Sequence, residues 1–242
     1  MMKKKWLLIV SLVALQFACA FSPAPAETDS ASTPILEYHS IVDNKDNMYC
    51  VDPVTFEEQV KTILQMGYQP ITASELLEMW KDKKKTVSKP ILLTFDDGYK
   101  DNYTTAFPIL KKYQIKATVF LVTSSIGKPN FLSWDEIKEM QESGLIDFQS
   151  HTISHPNLLK LKAEEVRNEF IESKRMLEQH LNKPVRILAY PYGYHRPYMF
   201  PMLKKAGYEM ALSTYPGLAG ERQGMFAVRR ISTTKDPLVF LR

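Results

Sequence analysis

Disulfides cannot hold this chain together. It has two cysteines in 242 residues, Cys19 and Cys50. The first lies in an export-type leader, so a processed chain keeps one thiol and no internal bridge. Membrane-spanning length is missing too, because the apolar run from Trp6 to Ala14 is shorter than the ~20 residues a spanning helix needs. Residues 35–242 contain no repeat, no low-complexity tract and no second domain boundary. A strong charge is also absent. The formal charge of +4 includes Lys3, Lys4 and Lys5, and residues 1–26 hold no acidic residue, so the chain without them carries +1. That balance removes the electrostatic motive for binding nucleic acid.

What is present begins with the leader. Three lysines, an apolar run and then small residues form the layout of a secretory signal peptide, read here as residues 1–26. Ala18-Cys19-Ala20 and Ala24-Pro25-Ala26 both offer cleavage points, Cys19 is a candidate lipidated N-terminus, and an uncleaved anchor is the third option. The protein is expected to be secreted or attached to the cell surface. Residues 21–34 are rich in Pro, Ala, Ser and Thr and read as a tether, of which 27–34 remain as a linker after cleavage. The folded domain then runs from Ile35 to Arg242, and an apolar fraction of 45% is enough for one proper core.

Within that domain, seven apolar, β-rich runs recur: 35–39, 91–95, 117–122, 146–150, 186–190, 209–213 and 227–231. Helical patterns separate them at 55–66, 73–81, 102–113, 134–143, 163–181 and 198–206, with Ser133 and Glu136 placed as a capping box. Alternation of this kind implies an α/β fold with a parallel sheet and outer helices. Seven mostly apolar strands suit a closed or nearly closed barrel, with an open doubly wound sheet as the alternative. Barrels of this kind work at the C-terminal ends of their strands. Here His39, the pair Asp96 and Asp97, His151, and Pro191-Tyr192-Gly193 all stand at such ends.

One carboxylate and two imidazoles suit zinc or a similar transition ion and leave room for water and substrate, which marks Asp97, His151 and His155 as candidate metal ligands. Pro156 follows His155 directly, so the second histidine should leave the strand on a turn rather than a helix. Asp96 is the candidate general base for water activated at that metal, and Gly98 lets the chain turn so that both carboxylates reach one opening. Phe131, Trp134, Tyr192 and Tyr194 are candidate stacking walls for sugar rings, although Trp134 equally fits a packing role in the first turn of its helix.

Thr94-Phe95-Asp96-Asp97-Gly98 with His151-Thr152-Ile153-Ser154-His155 resembles the first two motifs of the polysaccharide deacetylases, the NodB-homology group of carbohydrate esterase family 4. The resemblance spans about residues 35–232. It implies a distorted (β/α)7 barrel and metal-dependent removal of acetyl groups from a glycan, with Asp96 as base and Asp97, His151 and His155 as ligands. Ala189-Tyr190-Pro191-Tyr192-Gly193 looks like the third motif, in which the backbone N–H at Tyr192 helps hold the oxyanion. Two departures stand out. The arginine that commonly opens this motif and tethers the catalytic aspartate is Ala189 here, and Arg229 or Arg230 on the last strand is the expected substitute. No late Leu-x-His supplies an acid. Glu37-Tyr38-His39-Ser40 resembles the poly-N-acetylglucosamine deacetylase branch, in which a first-strand histidine has that task, so His39 is preferred over His195.

The expected function is therefore deacetylation of an N-acetylglucosamine-containing polysaccharide at the cell surface or wall, poly-N-acetylglucosamine, peptidoglycan or chitin, with release of acetate. The expected cofactor is Zn2+, with Co2+ or Ni2+ as alternatives. An O-acetyl esterase on xylan or another polymer, and a glycan-binding module of low activity, are the competing readings.

Overall fold

Strands buried on both faces need apolar residues at every position, and several segments of this chain meet that demand. The computed structural model describes residues 32–83, 87–233, 238 and 241. The expected signal segment 1–26 with Cys19, and residues 27–31 of the expected linker, lie outside them. All residues of β1 (Ile35–Tyr38), β3 (Pro90–Phe95), β4 (Ala117–Leu121), β5 (Ile146–Ser150) and β6 (Ile187–Ala189) are buried. With β7 (Met210–Pro216) and β8 (Val228–Ser232) they form a ring, because β1 pairs with both β3 and β8 and every pairing is parallel. This is the seven-stranded barrel expected.

An eighth strand, β2 (Gln69–Ile71), was not expected. It pairs with the N-terminal half of β3, whereas β4 pairs with Thr94 and Phe95 further along, so β2 lies beside the ring rather than in it. Three residues with Pro70 at the centre carry no periodic signal. Side chains alternate across the barrel wall. Leu36, Tyr38, Leu93, Phe95 and Ile231 join the layer under the helices, while Ile35, Leu92 and Val228 belong to a second cluster within the ring. By the same period of two, Glu37, Thr94, Asp96 and Arg230 face inward.

The helices pack outside: α1 (Pro53–Gln65), α2 (Ala73–Lys81), α3 (Phe107–Tyr113), α4 (Trp134–Glu142), α5 (Ala163–Leu181) and α6 (Phe200–Ala206). The capping box at Ser133 and Glu136 is formed, and Thr72 with Glu75 makes another at α2. α2 adds Leu76, Leu77 and Trp80 to the inner cluster, and its first turn is tied to Thr118 of β4 and Asp147 of β5. The N-terminal end of the barrel is thus filled, and the opposite end is left for loops. Two expected helices start differently. Residues 102–106 form a π-turn before α3, because Pro108 has no N–H to complete the usual ladder, and 197–199 form a 3-10 turn before α6. Among the described residues, no helix is long and apolar enough to cross a membrane.

Phe170 of α5 is fully buried with its ring 6.4 Å from that of Tyr208. Phe170→Ala should lower unfolding free energy by about 3–5 kcal/mol in a urea titration. A change below ~1 kcal/mol would show that α5 does not hold this side of the barrel.

Candidate active site

The site is built from the turns that follow four strands. After β3, Asp96 still points inward and is almost fully buried. Asp97 (φ 73°) and Gly98 (φ 74°) then reverse the chain so that both carboxylates line one cleft. Glycine is required at 98, because a Cβ there would lie 2.7 Å from the Leu121 side chain. After β5 comes His151, and left-handed Thr152 and His155 carry the chain round a turn before Pro156, as the proline implied. After β6, Tyr192 is left-handed as well (φ 58°). Four non-glycine residues in this conformation at one barrel mouth are held there by the packing around them, which is where functional sites store strain.

Asp97 Oδ1 lies 3.6 Å from the Nε2 of His151 and 3.6 Å from the Nε2 of His155. One ligand atom from each of the three lies within 4.8 Å of the others. The Nδ1–H of His151 donates to the carbonyl of Ala189 at 2.8 Å, which turns Nε2 towards Asp97. Burial, and then the neighbouring His151, bring His155 down to about 4, so its ring is neutral at physiological pH. The loop between the histidines is fixed by Glu169 of α5, which accepts from the Ile153 N–H, the Ser154 N–H and the Ser154 hydroxyl at 2.7, 3.1 and 2.7 Å. Two imidazoles and a carboxylate converging in this way fit a divalent transition ion.

Beside the triad, Arg230 settles which arginine meets Asp96. Its guanidinium donates to Asp96 Oδ1 at 2.8 Å and Oδ2 at 2.7 Å, to the Thr94 hydroxyl at 3.1 Å and, through Nε, to the Ser213 carbonyl at 3.0 Å. Arg230 is fully buried and Arg229 is exposed. Burial by itself would raise the Asp96 carboxyl, but the charges of Arg230 and His151 outweigh it and hold the group well below the usual carboxylate range. Asp96 Oδ2 is 3.9 Å from His151 Nε2, so this anchored carboxylate borders the triad.

The family model for polysaccharide deacetylase matches residues 83–211. YxkH of Bacillus subtilis strain 168 is 39% identical over 83% of this chain and 71% of its own length. The chain belongs to the polysaccharide deacetylase family. A poly-beta-1,6-N-acetyl-D-glucosamine N-deacetylase of Staphylococcus aureus strain MRSA252 is 32% identical over 78% of this chain and 69% of its own. The Streptococcus pyogenes deacetylase PplD, solved in complex with acetate, superposes with a TM-score of 0.82 at 28% identity, covering 88% of this chain and 99% of that one.

The other residues singled out in this deacetylase fall into two groups. His39, Phe131, Tyr192 and Tyr194 all line the open cleft of about 1030 Å³ that holds the triad. The ring of Tyr192 packs 4.6 Å from that of His155, and both Tyr192 and Tyr194 are exposed. Trp134 is a correction: it is not among the cleft residues but lies flat on His180, with 4.0 Å between ring centroids and 9° between planes, packed against the core under its helix. Its place in the first turn of α4 turned it to the barrel's outside. His195, the rival acid, is buried between Tyr190 and Phe200 and bonded to the Gly193 carbonyl, away from the cleft.

Further contributors lie outside the candidate residues of the sequence motifs. Asp101 accepts from the Ser40 hydroxyl at 2.6 Å and the Ile41 N–H at 2.8 Å, and Asn102 donates to the His39 carbonyl at 2.9 Å, so the turn after β3 fixes the turn after β1. The loop from Val42 to Cys50 forms a further wall, where Tyr49 meets the His39 ring at 5.0 Å. Glu37 is buried in the wall of the cleft. Its signal was in the sequence, as an acidic residue inside an apolar strand two positions before His39.

Arg230→Ala leaves two buried carboxylates without their cation. It should lower stability by about 3–5 kcal/mol and acetate release by at least about 100-fold, whereas Arg229→Ala should alter stability by less than ~0.5 kcal/mol. Equal behaviour of the two variants in denaturation and turnover would remove Arg230 from its role. For His155 the folded value lies below the ordinary 6.5, so the unfolded chain takes up a proton that the folded chain refuses. Metal-free protein should therefore lose stability as pH falls from 6.5 towards about 4. His155→Asn should flatten that part of a Tm-against-pH curve.

Proposed function

We propose that this deacetylase removes N-acetyl groups from an N-acetylglucosamine-containing polysaccharide of the cell surface or wall, and that it is exported to act there. The observation that carries the reading is the Asp96 carboxylate, anchored by Arg230 and bordering the Asp97, His151, His155 triad on the floor of an open cleft. Its support includes the likeness to the Staphylococcus aureus N-deacetylase, the acetate bound by PplD, and the signal-like residues 1–26. A low-activity binding module is disfavoured, because the tether absent at Ala189 is supplied by Arg230.

Asp97, His151 and His155 would hold the cation, with Zn2+ first and Co2+ or Ni2+ as substitutes. When bound, it supplies Lewis acidity, polarising the acyl oxygen and acidifying the attacking water enough for a base as weak as Asp96 to take its proton. Asp96 accepts that proton as the oxygen adds to the acetamide carbonyl carbon. The Tyr192 N–H donates to the oxygen that gains negative charge. His39 then gives a proton to the nitrogen as the C–N bond breaks and the electron pair stays on nitrogen. The products are acetate and a glucosamine residue whose new charge makes the polymer more cationic. Tyr192 and Tyr194 present flat faces to neighbouring sugar rings.

Purified protein should release acetate from N-acetylglucosamine oligomers. Chelation should lower the rate at least about 100-fold, and added Zn2+, Co2+ or Ni2+ should restore it. Release from acetyl esters alone would make it an O-acetyl esterase, and glycan binding without acetate would make it a binding module.

A further inference from the structure

Glu37 is the charged group at this site for which the reaction above has no use. It is 5% exposed and lies in the wall of the cleft. Its Oε1 is 3.4 Å from an Arg230 nitrogen that also serves Asp96, and its Oε2 is buried with no hydrogen-bond partner. A carboxylate oxygen enclosed in this way is costly unless a donor reaches it. The charges near it do not balance either. Asp96 and Glu37 bring two negative charges against one buried guanidinium, and Asp96 takes both of its forks. His39 is the group able to balance them, because it directly follows β1, two positions after Glu37, and continues the alternation of that strand to the same side. One ligand atom from each of Glu37, His39 and Asp96 lies within 4.8 Å of the others.

We propose that Glu37 is a positioning residue that orients the His39 imidazole and keeps it protonated, so that His39 can act as the acid for the departing amine. The inference rests on the deacetylase mechanism above and adds to it the residue that prepares its acid. Burial, assisted by Asp96, pushes the Glu37 carboxyl up, while Arg230 and His39 oppose that rise and favour the carboxylate. Asp96 lies in the same cluster, but both of its oxygens are engaged by Arg230, which leaves Glu37 Oε2 as the carboxylate oxygen there without a donor. Asp97 faces His151 and His155, and Asp101 is engaged by Ser40 and Ile41. On the far side of the ring stand Tyr49, with Cys50 next to it, and across the cleft Tyr99, whose hydroxyl bonds to Asp97.

The test uses zinc-loaded full-length enzyme and Glu37→Gln, which keeps the shape and removes the charge. NMR of the imidazole nitrogens, with the His39 signal identified by its loss in His39→Asn, should show the His39 titration midpoint falling by about one pH unit in Glu37→Gln. The alkaline limb of kcat/KM on N-acetylglucosamine oligomers should move down with it, and amide turnover should fall about 10-fold. Hydrolysis of 4-nitrophenyl acetate, whose leaving group needs no proton, should fall at least five times less than that. In a His39→Asn background Glu37→Gln should have no further effect on amide turnover, and Glu37→Asp should restore part of the wild-type profile. An unmoved midpoint, or an undiminished effect of Glu37→Gln without His39, would overturn the proposal and leave Glu37 acting through Arg230. A wild-type enzyme with no acetate release would instead overturn the underlying mechanism. If Glu37→Gln did not fold, the same midpoint and profile measured in Glu37→Ala, which also removes the charge, would decide, with no shift in either overturning the proposal.

Discussion

The Asp96 carboxylate can remain ionised inside the barrel because Arg230 is buried with it. Taking either charge out of water alone would cost several kcal/mol, and the bidentate pair with its further bonds to Thr94 and the Ser213 carbonyl is what offsets that cost. The same guanidinium touches Glu37 of β1, so four strands meet on one side chain. These strands form the seam where the barrel closes. β8 joins β1 through only two register pairs, and Arg230 adds a cross-barrel tie where backbone pairing is thin. Closure of the fold and the ionised state of Asp96 therefore both draw on one ion pair.

Around that pair the mouth is shaped by strained turns held from outside. Asp97, Thr152, His155 and Tyr192 adopt left-handed backbone, which each residue takes up only because its surroundings enforce it. Glu169 holds the loop between the two histidines from helix α5, the Ala189 carbonyl orients the first of them, and Asp101 and Asn102 hold the turn that bears His39. The supporting groups come from different strands and helices, so the geometry of the site is a property of the assembled barrel. Gly193 shows how tight that assembly is: a Cβ there would lie 2.1 Å from the Thr214 hydroxyl oxygen.

Much of this was legible in the chain itself. Continuous apolar runs specified strands buried on both faces, their alternation with helical patterns specified a parallel barrel, and the rule that such barrels work at their strand ends brought His39, Asp96, Asp97, His151 and Tyr192 to one mouth. The turn after His155 followed from Pro156, because proline disfavours helix in the residue before it. Strand β2 was invisible, since three residues around Pro70 offer no pattern, and Trp134 was ambiguous, since its place at the start of α4 fixes no direction.

The sequence by itself determined the local chemistry: which residues are acids, imidazoles and aromatics, and which strand each ends, because these follow from residue type and from periods of two and 3.6. Only the tertiary structure decided that Arg230 and not Arg229 meets Asp96, that Glu37 lies buried beside His39, and that Trp134 packs under α4 and not over the cleft. Arg230 reaches Asp96 across 134 residues of chain, and the strand that would have carried the missing arginine, β6, lies two places away in the ring. Contacts between strands distant in sequence are set by register and barrel closure, and no local pattern encodes them.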